Sequence, residues 1–209
     1  MKKYFLALGA LSLAFFVLSI SVFRATTTEF ASNAFVPFGE KVLGESAEKI
    51  DYVMPFPGKV LPDSPLWVFK AARDQVWIFL TPGQLKKAEL ALLFSDKRLE
   101  ASRTLFENNK PDIALSVLTK GEKYLEMAAG KEAEARSGGA DTSDFLVKLA
   151  SSSLKHREVI EKDILPIAPE DAKPEIVKAE NYAKSIYKSS RDALNGMGLT
   201  APESPFVGD

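Results

Sequence analysis

The stretch "PDSPLWVFKAARDQVWIFLTPGQ", residues 62–84, most constrains what this chain can fold into. Between Pro65 and Leu80 it holds two Trp and two Phe, in a chain whose other helical segments are mostly charged. At 100° per residue, Leu66, Phe69, Val76, Trp77 and Leu80 cover one broad face, with Val68, Ala72 and Phe79 beside it. Trp67, Ala71 and Ile78 form a second stripe. Lys70, Asp74 and Gln75 need water, and Arg73 falls inside the apolar face, where it needs a partner or must snorkel. At helical rise the segment is about 24 Å long, too short and too charged to cross a bilayer comfortably. A helix apolar on nearly all sides is normally buried. Its eight largest apolar groups could then contribute on the order of 15 kcal/mol. The sequence therefore predicts a buried hub against which the other helices close. The alternative is an interfacial helix on the outer membrane face, with its Trp residues at headgroup level.

Start signals divide the rest of the chain. Ser64–Pro65 and Thr81–Pro82 each pair a capping residue with a proline suited to a first helical turn. Pro111 follows "ENNK", Pro174 follows "EDAK", and Asp141 and Thr142 open a helix after the glycine break at 138–139. Helices are expected over about residues 65–80, 82–108, 111–136, 142–164 and 174–195, and no period-two alternation argues for a strand. The long helices carry narrow seams at 3-4 spacing. These are Leu85, Ala88, Leu92, Ser95, Leu99, Ser102 and Phe106; then Ala114, Leu118, Gly121, Leu125 and Ala128; then Ile176, Ala179, Ala183, Ile186, Ser190 and Ala193. Such seams suit shallow-angle packing, and short connections make successive helices antiparallel neighbours. The expected fold class is all-α: an N-terminal transmembrane helix followed by an antiparallel helical bundle or hairpin array of about five helices.

The transmembrane expectation rests on "MKK" followed by residues 4–23, twenty residues without a charge, ended by Arg24. At helical rise they span about 30 Å, the thickness of a hydrocarbon core. "SVFRA" makes a poor signal-peptidase site, which favours an uncleaved anchor in residues 1–24 over a cleaved signal peptide. Lys2 and Lys3 put the N-terminus in the cytoplasm and the rest outside. Residues 25–61 read as an extracytoplasmic tether, 62–195 as the helical domain and 196–209 as a disordered C-terminal tail. The net charge of −1, with acids and bases alternating, offers no basic face for nucleic acid. The absence of cysteine excludes disulfides and thiolate metal sites.

Three blocks, "FPGKVLPDSPLWVFK", "KKAELALLFSDKRLEASRTLFENNKPDIA" and "HREVIEKDILPIAPEDAKPEI", resemble the bacterial domain of unknown function family 5667 over about residues 56–190. Arg157 stands where that family usually has leucine after its histidine, and the third helix runs into "GGAD". The resemblance implies an exported, often membrane-tethered helical domain with no established activity. Some relatives in that family look like regulators beside extracytoplasmic sigma factors, with a cytoplasmic sigma-binding segment before the membrane helix; only "MKK" precedes the apolar run here, so that role is not expected. "LTPGQ", residues 80–84, is similar to the Leu-Thr-x-x-Gln motif of periplasmic chaperones of the Spy and CpxP kind, although Thr81 as a cap and Pro82 in the first turn explain the same letters.

No catalytic, cofactor or metal site is expected. The sole histidine, His156, shares a helical face with Leu149, Ser153 and Ile160, which suggests a half-buried packing residue or one capped by Asp163 or Glu158. Carboxylates such as Glu132, Glu134, Glu158 and Glu161 lie among bases at i+3 or i+4, as on a solvated, self-paired surface. "RSGGADTSD" lacks a calcium loop's acidic spacing and reads as a flexible hinge. The functional expectation is a non-enzymatic, extracytoplasmic interaction or scaffold module of the cell membrane. Its partners would be the bilayer, through residues 4–23, and an unidentified envelope protein. The alternative is a tethered chaperone or envelope-stress sensor. The candidate interaction surface is Trp67, Trp77 and Phe79, which in the chaperone reading border an open apolar groove.

Overall fold

The computed structural model describes residues 50–206. The expected anchor and most of the expected tether lie outside the described residues. Among the described residues there are five helices and no strands, and no helix is long and apolar enough to cross a membrane. The helices are α1 (Trp67–Leu80), α2 (Gln84–Glu107), α3 (Pro111–Ser137), α4 (Ser143–Val159) and α5 (Lys173–Gly196). A π-helical turn, Ile160–Ile164, extends α4.

The prolines act largely as the sequence predicts. Pro111 and Pro174 stand in the first turns of α3 and α5, where a missing N–H removes no helical bond. The two proposed caps behave differently. Ser64 and Pro65 sit in a turn before α1, with Ser64 Oγ accepting from Leu66 N at 3.3 Å. Thr81 closes the helix behind it, donating its hydroxyl to Trp77 O at 2.8 Å, and Gly83, at φ +81°, leads into α2. The "LTPGQ" letters are therefore spent on a turn. "RSGGADTSD" is tied down: Thr142 is buried and donates to Glu132 Oε1 at 2.7 Å, the same oxygen that accepts from Arg136 Nε at 2.9 Å.

Helices α2 and α3 form a closely packed antiparallel hairpin. Ser95 Oγ donates to Gly121 O and Ser102 Oγ to Ala114 O, each at 2.8 Å, a register in which one helix runs down as the other runs up. The seam residues Ala88, Leu92, Ser95, Leu99 and Ser102 of α2 are buried, and so are Ala114, Leu118, Gly121, Leu125 and Ala128 of α3. A Cβ on Gly121 would lie 3.2 Å from Arg98 Cβ and 3.5 Å from Leu99 N, so the helices approach where α3 has no side chain. Gly121→Val is expected to cost about 1–3 kcal/mol by overpacking, seen as a lower urea midpoint at unchanged slope.

Helices α4 and α5 form a second hairpin, and α5 also packs on α3. The core lies in two apolar clusters at different heights. One holds Leu99, Leu105, Leu118, Ile160, Ile164 and Ile176; the other holds Leu92, Phe94, Leu125, Phe145, Leu149 and Ile186. A third, smaller group gathers Ile50, Leu154, Tyr187 and Phe206, so both ends of the described chain rest on the second hairpin. Residues 199–206, read from sequence as part of a disordered tail, are held there by Tyr187 Oη donating to Pro202 O at 2.9 Å and by Arg157 stacked 3.9 Å from the Phe206 ring.

The hub expectation for α1 is overturned. The only buried residue of α1 is Asp74. The four longer helices fill their own core, because the small seam residues let leucines from both sides meet without a filler.

Candidate functional site

An apolar helix with one acid has two ways to settle on a body: bury the grease or satisfy the acid. Here the acid decides. Arg98, on α2, is itself buried and needs a counter-charge. Its Nη2 lies 3.6 Å from Asp74 Oδ2, while Arg73 Nη2 donates to Asp74 Oδ1 at 2.8 Å. Aromatic rings surround the Arg98 guanidinium, with Tyr124 at 4.2 Å and Trp67 at 5.7 Å from its carbon. Gln75 Nε2 donates to Tyr124 Oη at 2.5 Å, and Trp77 meets Phe94 edge to face at 6.0 Å. Lys70 Nζ, over the Trp67 ring, donates to Pro57 O and fastens the segment before the helix.

This clamp sets the rotation of α1. Positions 67, 70, 71, 74, 77 and 78 turn toward the body, and 68, 69, 72, 76, 79 and 80 turn away. The outward side is therefore Val68, Phe69, Ala72, Val76, Phe79 and Leu80, continued by Leu66. Phe79 is 81% exposed and Phe69 74%. Among the described residues, every large apolar side chain more than half exposed lies between Val53 and Leu80. Elsewhere exposed apolar groups are isolated and less open, as on any protein surface.

Of the three side chains expected to form an interaction surface, Phe79 stands on this outward face. Trp67 and Trp77 are half-buried and turned inward, where they help hold Arg98 and Phe94. The three are thus split between opposite sides of one helix and border no common groove. Val68, Phe69, Val76 and Leu80, read from sequence as core, complete the outward face instead.

A second feature escaped the sequence reading. Between the two apolar clusters three of the long helices bring buried polar groups together: Ser95 and Asp96 from α2, Glu122 from α3, Ser152 and His156 from α4. His156 is fully buried, neither half-buried nor capped by its neighbours in sequence. Its Nδ1 bonds Glu122 Oε1 at 2.7 Å and its Nε2 bonds Asp96 Oδ1 at 3.0 Å. Asp96 also accepts from Ser152 Oγ at 2.8 Å and from Tyr52 Oη at 2.6 Å. Burial alone would disfavour a charged ring, but the Glu122 charge and the hydrogen bonds of both carboxylates override it and raise His156 to about 10. Tyr52 is raised as well, by burial first and then by the Asp96 charge. Glu122 Oε2 is buried without a hydrogen-bond partner among the described residues.

The two residues expected to cap His156 are engaged elsewhere. Glu158 bonds Lys155 and Lys162, the latter being the i+4 pair foreseen from sequence, and Asp163 bonds Arg103. Glu132, foreseen on a solvated surface, is buried under Thr142 and Arg136. Chemically, a carboxylate oxygen within hydrogen-bond distance of each ring nitrogen favours the protonated imidazole, the form in which both nitrogens donate. In that form the ring has no lone pair free to accept a proton or bind a metal, and no group of three acidic or histidine side chains is set to hold a metal among the described residues.

No curated protein and no solved structure matches this chain. The family model described as Domain of unknown function (DUF5667) matches residues 59–168, a stretch that takes in the outward face of α1 and the histidine layer but stops short of α5. With more than half of its length covered by that model, the chain belongs to the DUF5667 family.

Proposed function

We propose that this protein is a membrane-anchored, extracytoplasmic helical module that works by binding, without catalysis, and that the outward face of α1 is its contact surface. The observation that carries the reading is the rotation of α1, which leaves Val68, Phe69, Val76, Phe79 and Leu80 in water while burying Asp74. Each such side chain forgoes about 1.5–3 kcal/mol available from burial, and contiguous exposed apolar residues mark interaction sites. The anchor reading is supported by the uncharged run at residues 4–23 and the lysines before it. A binding role is supported by the state of His156, whose ring nitrogens are both committed inside the core.

Site-specific photo-crosslinking in native membranes tests this. A crosslinker replacing Phe79 is expected to give adducts, whether with protein or with lipid, and one replacing the exposed Lys178 of α5 is not. Equal labelling from both positions would refute the reading. Phe79→Asp is expected to leave the urea midpoint of the domain nearly unchanged, since exposed substitutions usually fall within about 0.5 kcal/mol. The same variant should lose the adducts formed from a crosslinker at Val76.

A further inference from the structure

Resting on that reading, we infer that the occupant of the outward face of α1 is the surface of the bilayer that holds the anchor. The helix lies along the membrane plane with Val68, Phe69, Val76 and Phe79 at the boundary of headgroups and acyl chains, and the four-helix body stands on it.

Three observations favour lipid over protein. The first is size and shape. The face is one side of a fourteen-residue helix, about 21 Å long, and its two phenylalanines are 74% and 81% exposed. A stable protein interface draws on roughly 20–30 residues from each side, far more than this face supplies. A fluid apolar layer needs no matching groove, and interfacial helices sink their apolar side only about 5–10 Å into it.

The second is charge. The chain as a whole is nearly neutral, yet residues 53–87 hold five bases and two acids. Asp74 is buried and Asp63 is bonded to Lys110, while Lys59 and Lys86, on the segments flanking α1 in sequence, are exposed. A local basic excess around an apolar strip suits anionic headgroups.

The third is position in the chain. All the strongly exposed apolar residues among those described follow the apolar run at 4–23 in sequence, with residues 24–52 between. At no more than about 3.5 Å per residue, that connection confines the face to the neighbourhood of the same membrane. Tethering of this kind replaces intrinsic affinity with high local concentration, so a small apolar strip suffices.

The chain contains no cysteine, so single labels can be placed cleanly. The full-length protein carrying Phe79→Cys, Val68→Cys or, as control, Lys178→Cys would be labelled with an environment-sensitive fluorophore. Each would be reconstituted in vesicles of phosphatidylglycerol and phosphatidylethanolamine. The labels at 68 and 79 are expected to shift to the blue and to be quenched by lipids spin-labelled near the headgroup, with the label at 178 unaffected. Adding Phe69→Asp should abolish the shift at 79. Protein that resists alkaline extraction while its label at 79 stays in water would overturn the lipid contact and leave the anchor intact. Protein extracted by alkali would remove the anchor reading and this inference with it. A blue shift at 79 that persists without lipid and grows with protein concentration would assign the face to a second copy of the chain and equally overturn it.

Discussion

Replacing His156 by leucine is expected to destabilise the helical domain by about 3–5 kcal/mol, the largest single-residue effect outside the apolar clusters. The substitution keeps the volume nearly filled, so the cost is electrostatic. It leaves Asp96 and Glu122 facing one another across a fully buried site with the cation between them removed. Asp96 keeps the Tyr52 and Ser152 hydroxyls, but among the described residues Glu122 loses its one donor and already has an oxygen without a partner. Urea unfolding of the full chain, followed by helical circular dichroism, would show the lower midpoint. A companion variant distinguishes a lost counter-ion from lost packing: Glu122→Leu together with His156→Leu removes one buried charge of each sign and should recover a large part of the deficit. An His156→Leu protein as stable as the parent would show that the layer is not ionic.

How this layer relates to sequence explains what could and could not be read in advance. Helix number, order and approximate ends were legible, because Pro111, Pro174 and the 3-4 seams are local signals that tertiary contacts did not override. The seams on α2, α3 and α5 were legible for the same reason, and nearly every residue named in them is buried. The histidine layer was not, since its members come from four separate segments. One trace of it was present: Asp96 and Glu122 each directly follow a small seam residue, Ser95 and Gly121, and those two sit opposite each other across the hairpin. An acid adjacent to a small seam position on both helices places two carboxylates at one level.

The rotation of α1 was hidden for a different reason. Periodicity reports that a helix is apolar nearly all round, but it cannot say which side the body takes. That choice was made by Arg98, twenty-four positions from Asp74 and on another helix. Once an arginine is buried in the body, the only acid of α1 becomes the side that must face inward, and the aromatic-aliphatic side is turned out by the 100° step alone. The two polar features thus divide the work. The histidine layer fixes the register of α2, α3 and α4, which small-residue seams by themselves would allow to slide, and the Arg98–Asp74 pair fixes the rotation of α1. Tyr52 joins the segment leading from residue 50 to that same layer through Asp96, so the incoming chain is fastened to the body before α1 begins.

The second large effect is on pH dependence. His156 stands at about 10 in the folded protein, against 6.5 for an ordinary histidine, held up by Glu122 on α3 and Asp96 on α2 despite its burial. A raised value in the folded state means that the native protein binds a proton the unfolded chain has already released. The contribution is therefore complete below about pH 6.5, declines between 6.5 and 10, and is gone above 10. Its slope is about 1.4 kcal/mol per pH unit, the value for one proton. From pH 7 to 9 the unfolding free energy is accordingly expected to fall by roughly 3 kcal/mol. Tyr52 acts in the same direction higher up: its folded value is raised, so alkali ionises the unfolded chain first and favours it. Lys70 and Lys97 are lowered by burial and act in the opposite sense, so over the window of pH 7–9 the double variant serves as the reference that isolates His156. Urea midpoints measured across that window should descend steadily for the parent and stay level for Glu122→Leu with His156→Leu. A parent profile as flat as that of the double variant would mean that the imidazole between Asp96 and Glu122 is neutral, and the ionic account of the layer would fall with it.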